Sequence, residues 1–243
     1  MNVFKFWQFS LKLTSSVVVV KRPQAKQVIY FDKAFHSQKN LGALAHIDDV
    51  MREGEVLKSS KKTSVVKTQI GSLQVVVKRY HTHRIWDGIK QWFRVSPAYN
   101  SWFYAHWLIE KNIPTPKPLA TVEQKLGLIR KRSYYIYQYL DFESLSDVLL
   151  AKPIDSPEFK ALGERVVSLF MALFKAKTHD RDFKISNFLV HHGEIYLIDL
   201  DSVSFYVSDI FLNSVLKKDQ QKFLEVFKDQ PDKYQYFSDL LPQ

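Results

Sequence analysis

The sequence predicts an α+β protein in two lobes, a β-rich lobe over 1–140 and a small, mostly helical lobe over 141–243. Three observations lead there. Before residue 140 the apolar residues recur mostly with the two-residue period of strands, after it with the 3.6-residue period of helices, and the change falls near 138–142. Strand-rich and helix-rich halves that each need a buried face predict separate layers, with a cleft where the lobes meet. The 243 residues are 46% apolar and 25% charged, an ordinary globular balance. The absence of cysteine excludes a disulfide scaffold, a thiolate metal site and a cysteine nucleophile. Seven glycines, nine prolines and 14% aromatic residues exclude collagen-like, disordered and coiled-coil chains.

Taken in order, 16–21 and 27–31 read as strands split by a turn at Pro23, and 32–52 as loop with a short helix. Runs 65–69 and 73–80 around Ile70-Gly71-Ser72 read as a hairpin. On its second strand Val76, Lys78 and Tyr80 share one face, and Val75, Val77 and Arg79 the other. The segment 97–112 reads as a helix with Pro97 in its first turn and Asn112 as C-cap, ended by Ile113-Pro114-Thr115-Pro116-Lys117-Pro118. Strands follow at 119–122 and 128–140. Next come a helix over 144–150 with Ser144 as N-cap and a longer one over 158–177. The latter carries Phe159, Leu162, Val166, Phe170, Leu173 and Phe174 on one stripe. Short strands at 188–191 and 195–198 flank Gly193, and a helix over 209–228 is the last element read.

The formal charge of +10 suits nucleic acid, an anionic membrane face and a phosphate-bearing substrate about equally. The longest apolar run near the start, Val17 to Val20, falls far short of the roughly 20 residues that span a bilayer. Lys5 and Lys12 interrupt any signal-peptide core, so cytoplasmic residence is expected. Lys78, Arg79, His81, His83, Arg84, Trp86, Lys90, Trp92, Phe93 and Arg94 form a basic, aromatic stretch. It has three readings: a solvated helix, a nucleic-acid patch, or an interfacial surface for anionic lipid. The pairs His81/His83 and His191/His192 lack further ligands at convincing spacing and read as solvent-facing histidines.

One ordered set carries chemistry. Arg181-Asp182-Phe183-Lys184-Ile185-Ser186-Asn187 is followed by an apolar strand, a turn, and Ile198-Asp199-Leu200-Asp201. An Asp, an Asn five residues later and an Asp after a hairpin suit phosphoryl transfer from Mg-ATP. One carboxylate orients the attacking hydroxyl, while an amide oxygen and a second carboxylate hold metal on the phosphates. With Val75-Val76-Val77-Lys78-Arg79-Tyr80 and the run from Ser101 through Pro118-Leu119-Ala120, these segments resemble the lipopolysaccharide kinase family of Kdo/WaaP type, over roughly 55–205.

The resemblance implies a protein-kinase-like fold. It also implies ATP- and Mg2+-dependent phosphorylation of a sugar, Kdo or heptose, in the lipopolysaccharide inner core at the cytoplasmic face of the bacterial inner membrane. Carried over, Asp182 is the catalytic-loop aspartate and Lys184 the lysine that neutralises the γ-phosphate. Lys78 pairs with the α- and β-phosphates, Val76 lines the adenine site, and Asn187 and Asp199 are magnesium ligands. Asp201 is a further metal or structural carboxylate. Expected partners are a lipid A-linked glycolipid and, peripherally, an anionic membrane, with no nucleic acid.

Three departures stand out. The family has His two positions before the catalytic Asp, whereas this chain has Asp180, with His179 one further back. No acidic residue lies between Asp87 and Glu110, so the helix glutamate that usually pairs with the strand lysine is displaced to Glu110 or supplied from elsewhere. The phosphate-covering loop, 58–64, has no glycine and offers its backbone N–H groups, lysines and the hydroxyls of Ser60 and Thr63 instead. Only 42 residues follow Asp201, too few for a peptide-docking subdomain, which points away from protein substrates. A small-molecule phosphotransferase of the same fold and a catalytically inactive, nucleotide- or lipid-holding pseudokinase remain as alternatives.

Overall fold

A computed structural model describes residues 16–81, 95–126, 129–205 and 209–242. The chain forms two compact units. Among the described residues, one unit holds the sequence up to His106 together with Pro116–Tyr139, and the other holds Trp107–Thr115 and the chain from Leu140 onward.

The first unit is built on strands β1 (Val17–Arg22), β2 (Gln27–Asp32), β3 (Glu55–Ser59), β4 (Thr63–Ile70), β5 (Leu73–His81), β6 (Pro118–Leu126) and β7 (Ile129–Gln138). They pair antiparallel in the order β1-β2-β6-β7-β5-β4-β3. The hairpin turn reverses at Gly71, whose φ of +65° disfavours a side chain, and a Cβ there would lie 2.7 Å from Asn40 Oδ1. Residues 32–52, read as loop with one short helix, contain two helices, α1 (Gln38–Ala45) and α2 (Ile47–Arg52). Ser37 caps α1 by accepting the Asn40 N–H at 3.1 Å.

Alternation decides what each sheet face does. Ile29, Phe31, Val66, Val75, Val77, Val122 and Ile136 are buried with Leu44 of α1 and Ile47 and Met51 of α2. Each such side chain contributes about 1.5–3 kcal/mol when fully buried. Tyr30, one residue out of phase, meets Tyr99 edge-on at 5.0 Å, and Tyr80 Oη lies 3.0 Å from Ser101 Oγ. Tyr99 and Ser101 belong to helix α3 (Pro97–Glu110), so that helix covers the opposite face. Past its end Asn112 adopts a left-handed φ of +57°, and the Ile113 N–H reaches back to the Leu108 carbonyl at 2.9 Å. This is the stop that the asparagine predicted.

The second unit contains β8 (Glu143–Ser144), α4 (Leu145–Ala151), α5 (Pro157–Lys175), β9 (Thr178–Asp180), β10 (Phe188–His191), β11 (Glu194–Leu197), β12 (Val203–Phe205), α6 (Asp209–Leu224) and α7 (Pro231–Leu240). Ser144 and Ser156 cap α4 and α5 through their hydroxyls, at 3.5 and 3.2 Å. The helix read over 209–228 is shorter. It ends at Leu224 in a tight turn, and Pro231, which lacks an N–H and suits a first helical position, opens α7. Phe159, Phe170, Phe223, Phe227 and Phe237 stack in this core at ring separations of 4.9–5.9 Å. Trp107–Thr115 is hydrogen-bonded into the same unit. Trp107 Nε1 donates to Thr178 Oγ1 at 3.1 Å, the Leu197 N–H to the Pro114 carbonyl at 3.0 Å, and Thr115 Oγ1 to the Leu197 carbonyl at 2.8 Å.

Candidate active site

Helix α5 ends at Lys175, and Lys177 turns the chain through a left-handed φ of +50° into β9. Strand β9 pairs with β12 and delivers Asp180, which is buried, to the start of a loop. Asp180 Oδ1 accepts the Asp182 N–H at 3.0 Å and the Ser202 hydroxyl, while Asp180 Oδ2 accepts from Asn187 Nδ2 at 3.4 Å. Asp182 itself is exposed, with 65% of its side chain open to solvent, and its Oδ2 lies 2.6 Å from Lys184 Nζ. The Asp182 hydrogen bond and charge raise the Lys184 pKa, and the Asp199 and Asp180 charges reinforce this.

Asn187 closes a 3-10 turn, Ile185–Asn187, and its carbonyl accepts the Ile198 N–H at 2.9 Å. The β10–β11 register pairs Phe188 with Leu197, which sets Asn187 beside the exit of the hairpin, with Asp199 following Ile198. Asp199 has φ +63° and ψ +54°, a left-handed conformation that aspartate adopts more readily than most side chains. Asp201, half-buried, follows in the 3-10 turn Leu200–Ser202.

The donor chemistry fits magnesium. Asn187 and Asp199 offer hard oxygen donors, and Mg2+ is commonly held through one or two carboxylates plus substrate phosphates. The Asn187 amide nitrogen faces Asp180, so its oxygen is the end left to act as a ligand.

In the sheet unit, Lys78 and Val76 are buried on the face covered by α3, and Lys78 Nζ lies 4.8 Å from the centre of the Tyr80 ring. Lys78 stands opposite Val65 and Tyr135, and Val76 opposite Lys67 and Tyr137. Glu123, also buried, pairs in register with Ser133, which pairs with Tyr80, so its side chain belongs to the Lys78 face. Glu110 lies in the last turn of α3, with Oε1 3.8 Å from Lys111 Nζ. Ser60 sits in the turn between β3 and β4, and Thr63 opens β4. Ser60 Oγ accepts the Lys62 and Thr63 N–H groups at 3.3 and 3.0 Å and lies 3.2 Å from Thr63 Oγ1. Lys58, near the end of β3, and Lys61 and Lys62 of the turn are exposed.

Of the basic stretch, Arg79 points into the α2 side of the sheet. Its Nη1 meets Asp48 Oδ1 at 3.3 Å, so Arg79 holds the fold together rather than forming part of a free basic surface. His81 Nε2 lies 3.0 Å from Ser64 Oγ. His83, Arg84, Trp86, Lys90, Trp92, Phe93 and Arg94 lie outside the described residues. His192 is exposed, whereas His191 is half-buried, with its Nδ1 2.7 Å from the Asp141 carbonyl.

Two contacts had no reading in the sequence. His179 Nδ1 lies 2.9 Å from Asp219 Oδ2 of α6, across 40 residues that carry no shared pattern. The second is the three-way role of Asp180, whose one local signal is an aspartate two residues before the N–H it accepts.

A family model of the lipopolysaccharide kinase (Kdo/WaaP) family matches residues 49–207. The 3-deoxy-D-manno-octulosonic acid kinase of Vibrio cholerae serotype O1 is 20% identical over 207 residues, covering 82% of this chain and 86% of the relative. A solved structure of WaaP in complex with acyl carrier protein superposes with a TM-score of 0.60 at 17% identity, over 88% of this chain and 89% of that one. Its likeness establishes the kinase-like fold. Sequence and fold therefore agree that this chain belongs to the lipopolysaccharide kinase (Kdo/WaaP) family of phosphotransferases.

Proposed function

We propose that this protein transfers the γ-phosphate of ATP to a hydroxyl of an inner-core lipopolysaccharide sugar, Kdo or heptose. The observation that carries the reading is the grouping of Asp182, Lys184, Asn187 and Asp199 on one loop and hairpin in the order that phosphoryl transfer uses. The Kdo kinase from Vibrio cholerae, matched over most of both chains, favours Kdo as the first acceptor to try.

Asp182, exposed beside Lys184, orients the acceptor hydroxyl and takes up its proton. Lys184, held protonated by that carboxylate, neutralises charge on the transferring phosphoryl group. Lys78 holds the α- and β-phosphates, Val76 lines the adenine site, and the lysine-rich turn around Ser60 and Thr63 covers the phosphates. Asn187 and Asp199 hold Mg2+, which when bound supplies positive charge to the phosphate oxygens.

The enzyme works against the inner membrane as a peripheral protein. No helix of the described residues is long and apolar enough to cross a membrane, and the net charge of +10 suits an anionic surface.

Transfer from γ-labelled ATP to purified core lipopolysaccharide tests the chemistry, with wild type beside Asp182→Ala. Loss of the general base is expected to lower kcat by about 10²–10⁴. Transfer that survives the substitution removes Asp182 from this role. Nucleotide binding with no transfer to any core preparation favours a binding protein instead.

A further inference from the structure

We propose that Asp180 is the positioning residue that fixes which end of the Asn187 amide faces the metal. The inference rests on the kinase reading above. It concerns a position where the family's histidine is replaced.

An ionised carboxylate is an acceptor only, with two oxygens. Asp180 spends them on different partners. Oδ1 takes the Asp182 N–H and the Ser202 hydroxyl, and Oδ2 takes Asn187 Nδ2. Asp180 and Asn187 are both buried, so a mismatch of donors and acceptors there has little solvent to relieve it. The two ends of an asparagine amide are nearly identical in shape and opposite in chemistry. A carboxylate against one end admits only the NH2 group, so the amide oxygen is presented away from Asp180. A neutral imidazole has one acceptor nitrogen and cannot serve Oδ1's partners and Asn187 together. One side chain thereby sets the backbone of Asp182 and the ligand atom of Asn187.

The prediction separates this role from mere support of the fold. In Asp180→Asn, the Asp182 N–H and Ser202 hydroxyl still require an oxygen, so the new NH2 faces Asn187. The Asn187 amide then turns its oxygen inward and its NH2 toward the metal. In the swapped pair Asp180→Asn/Asn187→Asp, the new NH2 donates to the carboxylate introduced at position 187, whose other oxygen again serves as ligand.

Mn2+ titrated with a non-hydrolysable ATP analogue, followed by electron paramagnetic resonance, reads the ligand directly. Thermal melts of each variant run alongside. Asp180→Asn is expected to weaken Mn2+ binding by about 10- to 100-fold. The swapped pair is expected to bind more tightly than either single variant, because the two positions are coupled. Asp180→Asn matching wild type overturns the inference and leaves the kinase reading intact. A swapped pair no better than Asn187→Asp also overturns it, even where Asp180→Asn folds poorly. Wild type that takes up no Mn2+ with nucleotide overturns both.

Discussion

Asp48 and Asp182 are both carboxylates against a basic partner, and their settings differ in almost every other respect. Asp48, in the first turn of α2, accepts from Tyr134 Oη at 2.9 Å, Gln124 at 3.2 Å, and Arg79 and Arg132 at 3.3 Å each. Burial opposes its ionisation, but the Tyr134 and Gln124 hydrogen bonds and the Arg132 and Arg79 contacts outweigh that and lower its pKa. Asp182 has its backbone held and its carboxylate exposed beside the Lys184 ammonium at 2.6 Å. The first arrangement joins α2, β5, β6 and β7 into one body and leaves the carboxylate no capacity for a ligand. The second leaves oxygen lone pairs facing water, where a substrate hydroxyl can reach them. A carboxylate enclosed by donors supports a fold, whereas one held mainly through its backbone remains available for chemistry.

The contrast is sharpest under acid, where enclosed groups govern folding. Burial holds His106 near the end of α3 down to about 4, with the Asp32 charge raising it and the Lys117 charge lowering it less strongly. The unfolded chain takes up this proton as pH falls through about 6.5, while the folded protein resists until about 4. Stability from this group is therefore fully present above 6.5 and declines between 6.5 and 4, by about 3 kcal/mol in all. Urea unfolding at pH 7 and pH 4.5 measures it, and His106→Leu should flatten the difference. Asp48 adds a separate loss below its unfolded value of 3.8, since a depressed carboxylate pKa favours folding only above it.

Next in size, Asp48→Asn keeps the shape but removes the charge shared by two arginines. It should cost about 2 kcal/mol, as charge-assisted hydrogen bonds do. For a chain of this length that lowers Tm by about 4–8 °C. An unchanged Tm would show that the sheet and α2 do not depend on this cluster.

Lys233 tests whether enclosure or location in the chain matters, because it lies in the unit that contains Asp182. It is buried, its Nζ donates to the Leu149 and Leu150 carbonyls at 2.8 Å each, and desolvation lowers its pKa. Lys233→Met strands two carbonyls at the end of α4 and should cost about 1.5 kcal/mol in a denaturant titration. The smallest effect is expected at Asp182. Asp182→Ala should alter folding stability by no more than about 0.5 kcal/mol, whereas the proposed general-base role predicts a kcat lower by about 10²–10⁴. A larger change would mean that Asp182 is itself part of the framework.

Much of both units is legible in local pattern. The β4–β5 hairpin follows from alternating apolar residues around Gly71, and α5 from its phenylalanine and leucine stripe. The short strands β9 and β12, three residues each, carry too few positions to display a period. They exist because they pair with each other, 23 residues apart at Asp180 and Val203. Helix α7 escapes the pattern for a different reason. A single amphipathic helix over 209–228 accounts for the periodicity as far as Lys228, and the new start at Pro231 is decided by packing of Phe237 against Phe223 and Phe227.

The sequence by itself determined the order of chemical groups, with Lys78 on a strand, then Asp182, Lys184, Asn187 and Asp199 around a hairpin. Spacing of two, three and five residues is a local property and survives without knowledge of contacts. Tertiary structure alone decided that Arg79 is held by Asp48 and that Asp180 holds three partners at once. It also decided that Asp199 takes a left-handed backbone. Those outcomes depend on which donors and acceptors are buried together, and burial is set by segments distant in the chain. A hydrogen bond becomes obligatory only where water is excluded, and the linear order of residues does not state where that is.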